Sequence, residues 1–142
     1  MAKDMIEDCT ELSKSGIAAL RGALRGELLE PGSSGYDTAR ILWNRMIDRR
    51  PRLIALCRNA ADVAASINFA RDCGLAIAVR SGGHNVAGYA VCEGGLMIDM
   101  SPMNSVRLAP SLDRADVEGG ATWIDVDAAT TPFGRATPGG LI

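Results

Sequence analysis

The sequence predicts an α/β (α+β) fold, and three observations carry that reading. Two short continuous apolar runs, Leu53-Ile-Ala-Leu-Cys57 and Leu75-Ala-Ile-Ala-Val79, flank a segment with apolar residues at helical spacing, which is the pattern of a strand, a crossover helix and a parallel strand. Glycine is spread unevenly, with five of 16 ending at Gly35 and eleven from Gly74 onward, so the chain changes character near its middle. The length of 142 residues, with 47% hydrophobic and 23% charged residues, fits one folded domain with a single core and neither a disordered chain nor a membrane protein.

Taken in order, Leu12, Ile17, Leu20, Leu24 and Leu28 recur at near-helical spacing, interrupted by Gly16, Gly22 and Gly26, which predicts short helices. Pro31-Gly-Ser-Ser-Gly35 is a turn cluster. Asp37 is placed to cap a helix carrying Ala39, Leu42, Trp43, Met46 and Ile47, with Arg49 and Arg50 at its C-terminal end before Pro51. The basic group Arg45, Arg49, Arg50 and Arg52 reads as a solvated helix end. After the run 53–57, Asn59 is the N-cap of a helix with Asp62 in its first turn and Val63, Ile67 and Ala70 on one face, and Gly74 ends it. Leu96-Met-Ile-Asp-Met100, Val106 to Leu108 and Asp116 to Glu118 are further strand candidates, and Thr122 with Asp125 resembles a capping box opening a helix from Trp123 to Thr130.

Composition removes several functions. Lys plus Arg is 15 and Asp plus Glu is 17, so the formal charge of −2 supplies no broad positive field for nucleic acid or an anionic membrane. Met1 to Thr10 mixes charges of both signs without an apolar core, which reads as no export signal and a cytoplasmic location. Cys9, Cys57, Cys73 and Cys92 show no C-x-x-C spacing and are expected as free thiols, and with His84 as the sole histidine no metal site is expected.

The chemistry concentrates in Arg80-Ser-Gly-Gly-His-Asn85, directly after a predicted parallel strand, where ligands bind in open α/β sheets. Its paired glycines let consecutive backbone N–H groups turn toward an anion such as a diphosphate, although a Gly pair also serves as a plain strand-to-loop turn. The chain has neither a P-loop nor any G-x-G. His84 is open to four roles: general base, metal ligand, covalent attachment point or packed loop histidine. Arg80 can meet a phosphate or the carboxylate of Asp99, and Asp99 can contact a ligand or make a local turn bond. No Ser-His-Asp constellation assembles, and Trp43 and Trp123 at helical positions read as core.

The ordered series Ala78-Val-Arg-Ser-Gly-Gly-His-Asn-Val-Ala-Gly88, Gly94-Gly-Leu-Met-Ile-Asp-Met-Ser101, Gly119-Gly-Ala-Thr-Trp123 and Phe133-Gly-Arg-Ala-Thr-Pro-Gly-Gly140 resembles the FAD-linked oxidases of the berberine-bridge-enzyme-like group. These carry an FAD-binding domain of the vanillyl-alcohol-oxidase or p-cresol-methylhydroxylase (PCMH) type. The resemblance implies a helical lead over residues 1–47 and an incomplete PCMH-type FAD-binding domain over 48–142. It implies that Arg80, Ser81, Gly82, Gly83, His84 and Asn85 cradle the FAD diphosphate. His84 falls on the histidine that is linked to the 8α-methyl carbon of the flavin, and Pro138, Gly139 and Gly140 begin a second Gly-rich approach to the ring. In such enzymes a small organic substrate, such as a sugar or secondary metabolite, passes a hydride to flavin N5, a base comes from a substrate domain, and dioxygen reoxidises the flavin.

Relatives of that kind continue past the Thr-Pro-Gly-Gly stretch, so the resemblance implies a truncated oxidase whose catalytic base, substrate pocket and any second flavin-linking cysteine are absent. Cys92 does not take that cysteine's position. Core strands left without neighbours imply marginal stability and self-association. The other reading is a non-catalytic remnant that binds nucleotide weakly or pairs with another chain.

Overall fold

A computed structural model describes residues 13–140 of the chain. The elements in order are α1 (Lys14–Ala23), β1 (Glu27–Leu29), α2 (Tyr36–Arg40), β2 (Leu53–Leu56), α3 (Ala60–Asp72), β3 (Ile77–Arg80), β4 (Leu96–Asp99), β5 (Val106–Leu108), β6 (Ala115–Val117) and α4 (Trp123–Thr130), followed by a 3-10 turn over Thr131–Phe133. Among the described residues, no helix is long and apolar enough to cross a membrane.

The two apolar runs form the parallel strands β2 and β3, joined through α3 as expected, but they do not pair with each other. The sheet order is β1-β2-β4-β3, so β4 lies between them, parallel to both, with Leu53 opposite Leu96 and Ile77 also opposite Leu96. The physical reason is burial. Leu96, Met97 and Ile98 are fully buried on both faces of the sheet, which only an interior strand provides. Alternate residues feed two cores: Leu53, Ala55, Leu96 and Ile98 pack toward Leu20 and Ala70 of α1 and α3, while Ile54 and Met97 pack toward Tyr36, Leu42 and Val91.

Helix α3 forms as its sequence dictates. The Asn59 side chain accepts from the Asp62 N–H at 2.9 Å. At the other end Gly74, at φ +62°, lets the N–H of Leu75 reach the Ala70 carbonyl at 2.8 Å and its own N–H reach Arg71 at 3.2 Å, the paired bonds of a left-handed helix stop. At the start of α4, Asp125 Oδ2 accepts from the Thr122 N–H at 2.7 Å and lies 2.8 Å from the Thr122 hydroxyl.

Two expectations for the lead need correction. Leu24 and Leu28 are not helical: α1 ends at Ala23, and Glu27–Leu29 forms β1, antiparallel to β2. Leu12 and the region 1–12 lie outside the described residues. The turn between α1 and β1 is fixed by tertiary groups, since a Cβ at Gly26 would sit 1.7 Å from the Leu56 carbonyl oxygen and the buried Asp62 carboxylate accepts from the N–H groups of Arg25, Gly26 and Arg58 at 2.9–3.0 Å. The helix expected through Ile47 stops at Arg40, with Asp37 inside α2 rather than capping it. Residues 41–50 are an irregular segment whose polar groups brace another loop: the Trp43 N–H donates to the Gly83 carbonyl at 3.3 Å, Asn44 Nδ2 to Val86 at 2.9 Å, and Arg49 to Gly88 and Val91 at 2.9 and 3.1 Å. The basic group therefore sits on no helix end: Arg45, Arg50 and Arg52 are exposed as expected, but Arg49 is a carbonyl clamp.

Candidate functional site

Strands β3 and β4 both end on the same side of the sheet, and the chain leaving β3 enters Ser81–Asn85. This loop forms one wall of a cleft of about 580 Å³. Val79, Ser81, Gly82, Gly83, His84, Asn85 and Ala90 line one side, and Val117, Ala121, Thr122, Trp123 and Val126 line the other. The position, outside the carboxyl ends of parallel strands, is where open α/β sheets place ligands.

The Gly pair has a definite task. Gly83 is buried at φ +73°, a left-handed conformation that side chains resist, and a Cβ there would lie 3.3 Å from Arg80 Nε. At Gly82 a Cβ would meet the His84 ring, 2.6 Å from Cδ2 and 3.1 Å from Nε2, so the imidazole folds back over bare backbone. Among the described residues, none of the N–H groups of Ser81, Gly82, Gly83, His84 and Asn85 donates to a protein acceptor. Five uncommitted amides on a turn built by a left-handed glycine make a concavity suited to an anion.

The loop is held from three sides. Ser81 Oγ donates to the Gly119 carbonyl, which ties the two walls together. Gly120 fits against the end of β4, where a Cβ would stand 1.8 Å from the Met100 carbonyl oxygen. Asn85 closes its own end, accepting from the Tyr89 N–H through Oδ1 at 3.1 Å and from the Gly88 N–H through its carbonyl at 3.0 Å. Beneath the loop, Arg80 Nη1 donates to the Ala39 carbonyl and lies 3.4 Å from Asp99 Oδ2.

The structure thus gathers Ser81, Gly82, Gly83, His84 and Asn85 on the cleft, with His84 exposed. Arg80 is not on its lining; the guanidinium points to Asp99, and its buried Nε has no hydrogen-bond partner among the described residues. Asp99 is buried and, besides Arg80, accepts from the Ser101 N–H at 2.8 Å, the local turn bond weighed above. Pro138, Gly139 and Gly140 do not line the cleft either, but Gly139 rests on its wall: a Cβ there would be 2.0 Å from Trp123 Cζ2. Trp123 itself is 44% exposed rather than core. The second wall was missed as a site by reasoning from residue chemistry, since Val117, Ala121 and Val126 carry none; the signal that could have found it is the Gly119-Gly120 pair directly before a helix start.

The cleft fits FAD on these observations. It offers uncommitted amides for a diphosphate, no carboxylate among its twelve lining residues to repel one, and apolar surface for a ring. Comparison with known proteins agrees. A family model described as "FAD binding domain" matches residues 51–141. The (R)-6-hydroxynicotine oxidase of Paenarthrobacter nicotinovorans is 40% identical over 119 residues, 84% of this chain and 26% of that protein. The crystal structure of 6-hydroxy-D-nicotine oxidase from Arthrobacter nicotinovorans superposes with a TM-score of 0.75 at 41% identity, covering 78% of this chain and 24% of that one. Glucooligosaccharide oxidase from Acremonium strictum, whose structure concerns a 6-S-cysteinyl, 8α-N1-histidyl FAD, gives a TM-score of 0.75 at 28% identity over 84% of this chain and 25% of that one. The chain spans about a quarter of the length of the relatives it matches. With its cleft and its match over 51–141 in agreement, and with FAD-linked oxidases among the proteins it is similar to, the chain belongs to the FAD binding domain family.

Proposed function

We propose that the loop Ser81–Asn85 holds the FAD diphosphate through its backbone amides and that His84 is the point of covalent attachment to the flavin. The observation that carries this reading is the set of five uncommitted N–H groups turned by Gly83 at the end of a parallel strand, beside an exposed imidazole. Arg80 contributes from below, tethering the loop to Asp99 and Ala39, and Pro138, Gly139 and Gly140 form a second approach by way of Trp123. When bound, the flavin supplies a two-electron acceptor for hydride from a small organic substrate such as a sugar or secondary metabolite. In the family resembled, the substrate pocket and the proton acceptor belong to a substrate domain, and this chain spans about a quarter of the length of such relatives.

Intact mass under denaturing conditions, with a visible spectrum, tests the reading on chain purified from riboflavin-supplied cells. The expected result is a mass increment equal to FAD that disappears in His84→Ala while far-UV circular dichroism is unchanged. Covalent flavin retained in His84→Ala overturns the assignment.

A second reading, a non-catalytic module that binds nucleotide or pairs with another chain, draws on the exposed sheet edge at β3. Substrate-dependent bleaching of bound flavin supports the oxidase, and a folded, colourless oligomer supports the module. Strand β3 is a sheet edge with Ile77 and Val79 41% and 49% exposed, which supports self-association. The free thiols Cys57 and Cys92 support a reducing, cytoplasmic location.

A further inference from the structure

We propose that Trp123 is a ring platform, whose indole takes a planar ring of the cofactor next to the diphosphate held by Ser81–Asn85; this rests on the reading of the cleft given above. Three observations converge. Trp123, the first residue of α4, is 44% exposed and borders the same cleft as the loop amides. Val117, Ala121 and Val126 share its side of the cleft, so the wall opposite the amides is apolar but for Thr122. The indole is also braced from outside the cleft, since the Gly139 backbone approaches so closely that a Cβ would lie 2.0 Å from Cζ2, 2.2 Å from Cε2 and 2.5 Å from Cη2.

The chemistry follows from the ligand's shape. A dinucleotide held by its diphosphate carries flat aromatic groups on either side, and a flat group leaving water gains most on a rigid aromatic surface. An indole fixed by backbone contact loses little freedom when a ring settles on it. Trp43 makes the contrast: it is more exposed, at 63%, yet lies outside the cleft lining and only its backbone N–H serves the loop.

The test uses the full chain carrying Trp43→Phe and His84→Ala, in which Trp123 is the only tryptophan and flavin stays exchangeable. FAD is titrated while Trp123 emission and flavin fluorescence are followed. FAD is expected to quench Trp123, Trp123→Leu to weaken FAD about tenfold, and Trp123→Phe to weaken it less. Inorganic pyrophosphate, used as a competitor, is expected to bind the Leu variant and its parent alike, because the amides are untouched. ADP and FMN titrated separately tell whether adenine or isoalloxazine is the ring, and quenching by either supports the platform. Should Trp123→Leu fail to fold by circular dichroism, Gly139→Ala displaces the indole without removing it and is expected to weaken FAD in the same sense. FAD binding unchanged in both variants overturns the platform while leaving the diphosphate loop standing. A parent chain that binds neither FAD nor pyrophosphate overturns the reading of the cleft itself.

Discussion

Substituting Gly83 by alanine separates the conformational demand of the site loop from a general demand for glycine, provided Gly94→Ala is measured beside it. Both residues are left-handed, at φ +73° and φ +64°. An alanine pays about 1–2 kcal/mol in that region at either place. Their surroundings differ: a Cβ at Gly94 meets nothing within 4 Å, whereas one at Gly83 lies 3.3 Å from Arg80 Nε and 3.5 Å from Leu42 Cδ2. Gly94→Ala is therefore expected to lose about 1–2 kcal/mol in urea unfolding and to bind FAD as before. Gly83→Ala is expected to lose at least as much stability and, because the amides turn away from the ligand, to weaken FAD about tenfold or more, the loss of one charge-assisted hydrogen bond of about 1.5–3 kcal/mol. Urea titration by circular dichroism and flavin fluorescence read the two quantities separately. Equal FAD affinity in the two variants would refute the amide-cradle argument, and an undiminished stability in both would refute the conformational one.

Asp62→Asn removes a buried carboxylate that accepts from three backbone N–H groups and is expected to cost about 1–3 kcal/mol in urea unfolding at neutral pH. Burial pushes this carboxyl up, but its hydrogen bonds to Arg58, Arg25, Gly26 and Asn59 outweigh that and hold it below the usual aspartate range. Its stabilisation is therefore fully present above the unfolded aspartate value and lost as pH falls through the folded one, so the gap between wild type and Asn should close on acidification; a gap independent of pH contradicts the assignment. Cys57 is fully buried and its thiol is pushed up to about 11, chiefly by that burial, so it should resist maleimide at pH 8 in the folded chain and react only on unfolding; mass spectrometry of folded and urea-treated samples checks this.

What could be read from residues alone was what is local. The Asn59 cap, the Gly74 stop and the apolar runs each announce themselves within a few positions, and the Gly82-Gly83 turn after β3 was legible for the same reason. The sheet order was not, because the run 96–99 looks like any other strand until its burial on both faces is known. Strand β1 was masked by leucines at helical spacing, and what decides against a helix there is 36 residues away, in the bonds from Asp62. Trp123 read as core because helical position says nothing of whether a cleft opens beside it. Arg49 and Trp43 act through backbone partners some 40 residues distant, a pairing that composition does not encode.

The bracing of the stretch after the site loop also bears on how it can change. Asn44 and Arg49 grip the carbonyl groups of Val86 and Gly88, not their side chains, and Val86 and Tyr89 are themselves 65% and 73% exposed. Such a scaffold is indifferent to which residues stand at positions 86, 87 and 89. A randomised library there should keep the backbone path while varying what it presents beside the cleft, whereas the same library at Gly83 or Gly88 should yield few folded members, Gly88 because a Cβ would meet Ile47 at 2.8 Å. Variation and constraint are thus interleaved along the stretch from Gly83 to Tyr89, and directed evolution can address the first without disturbing the second.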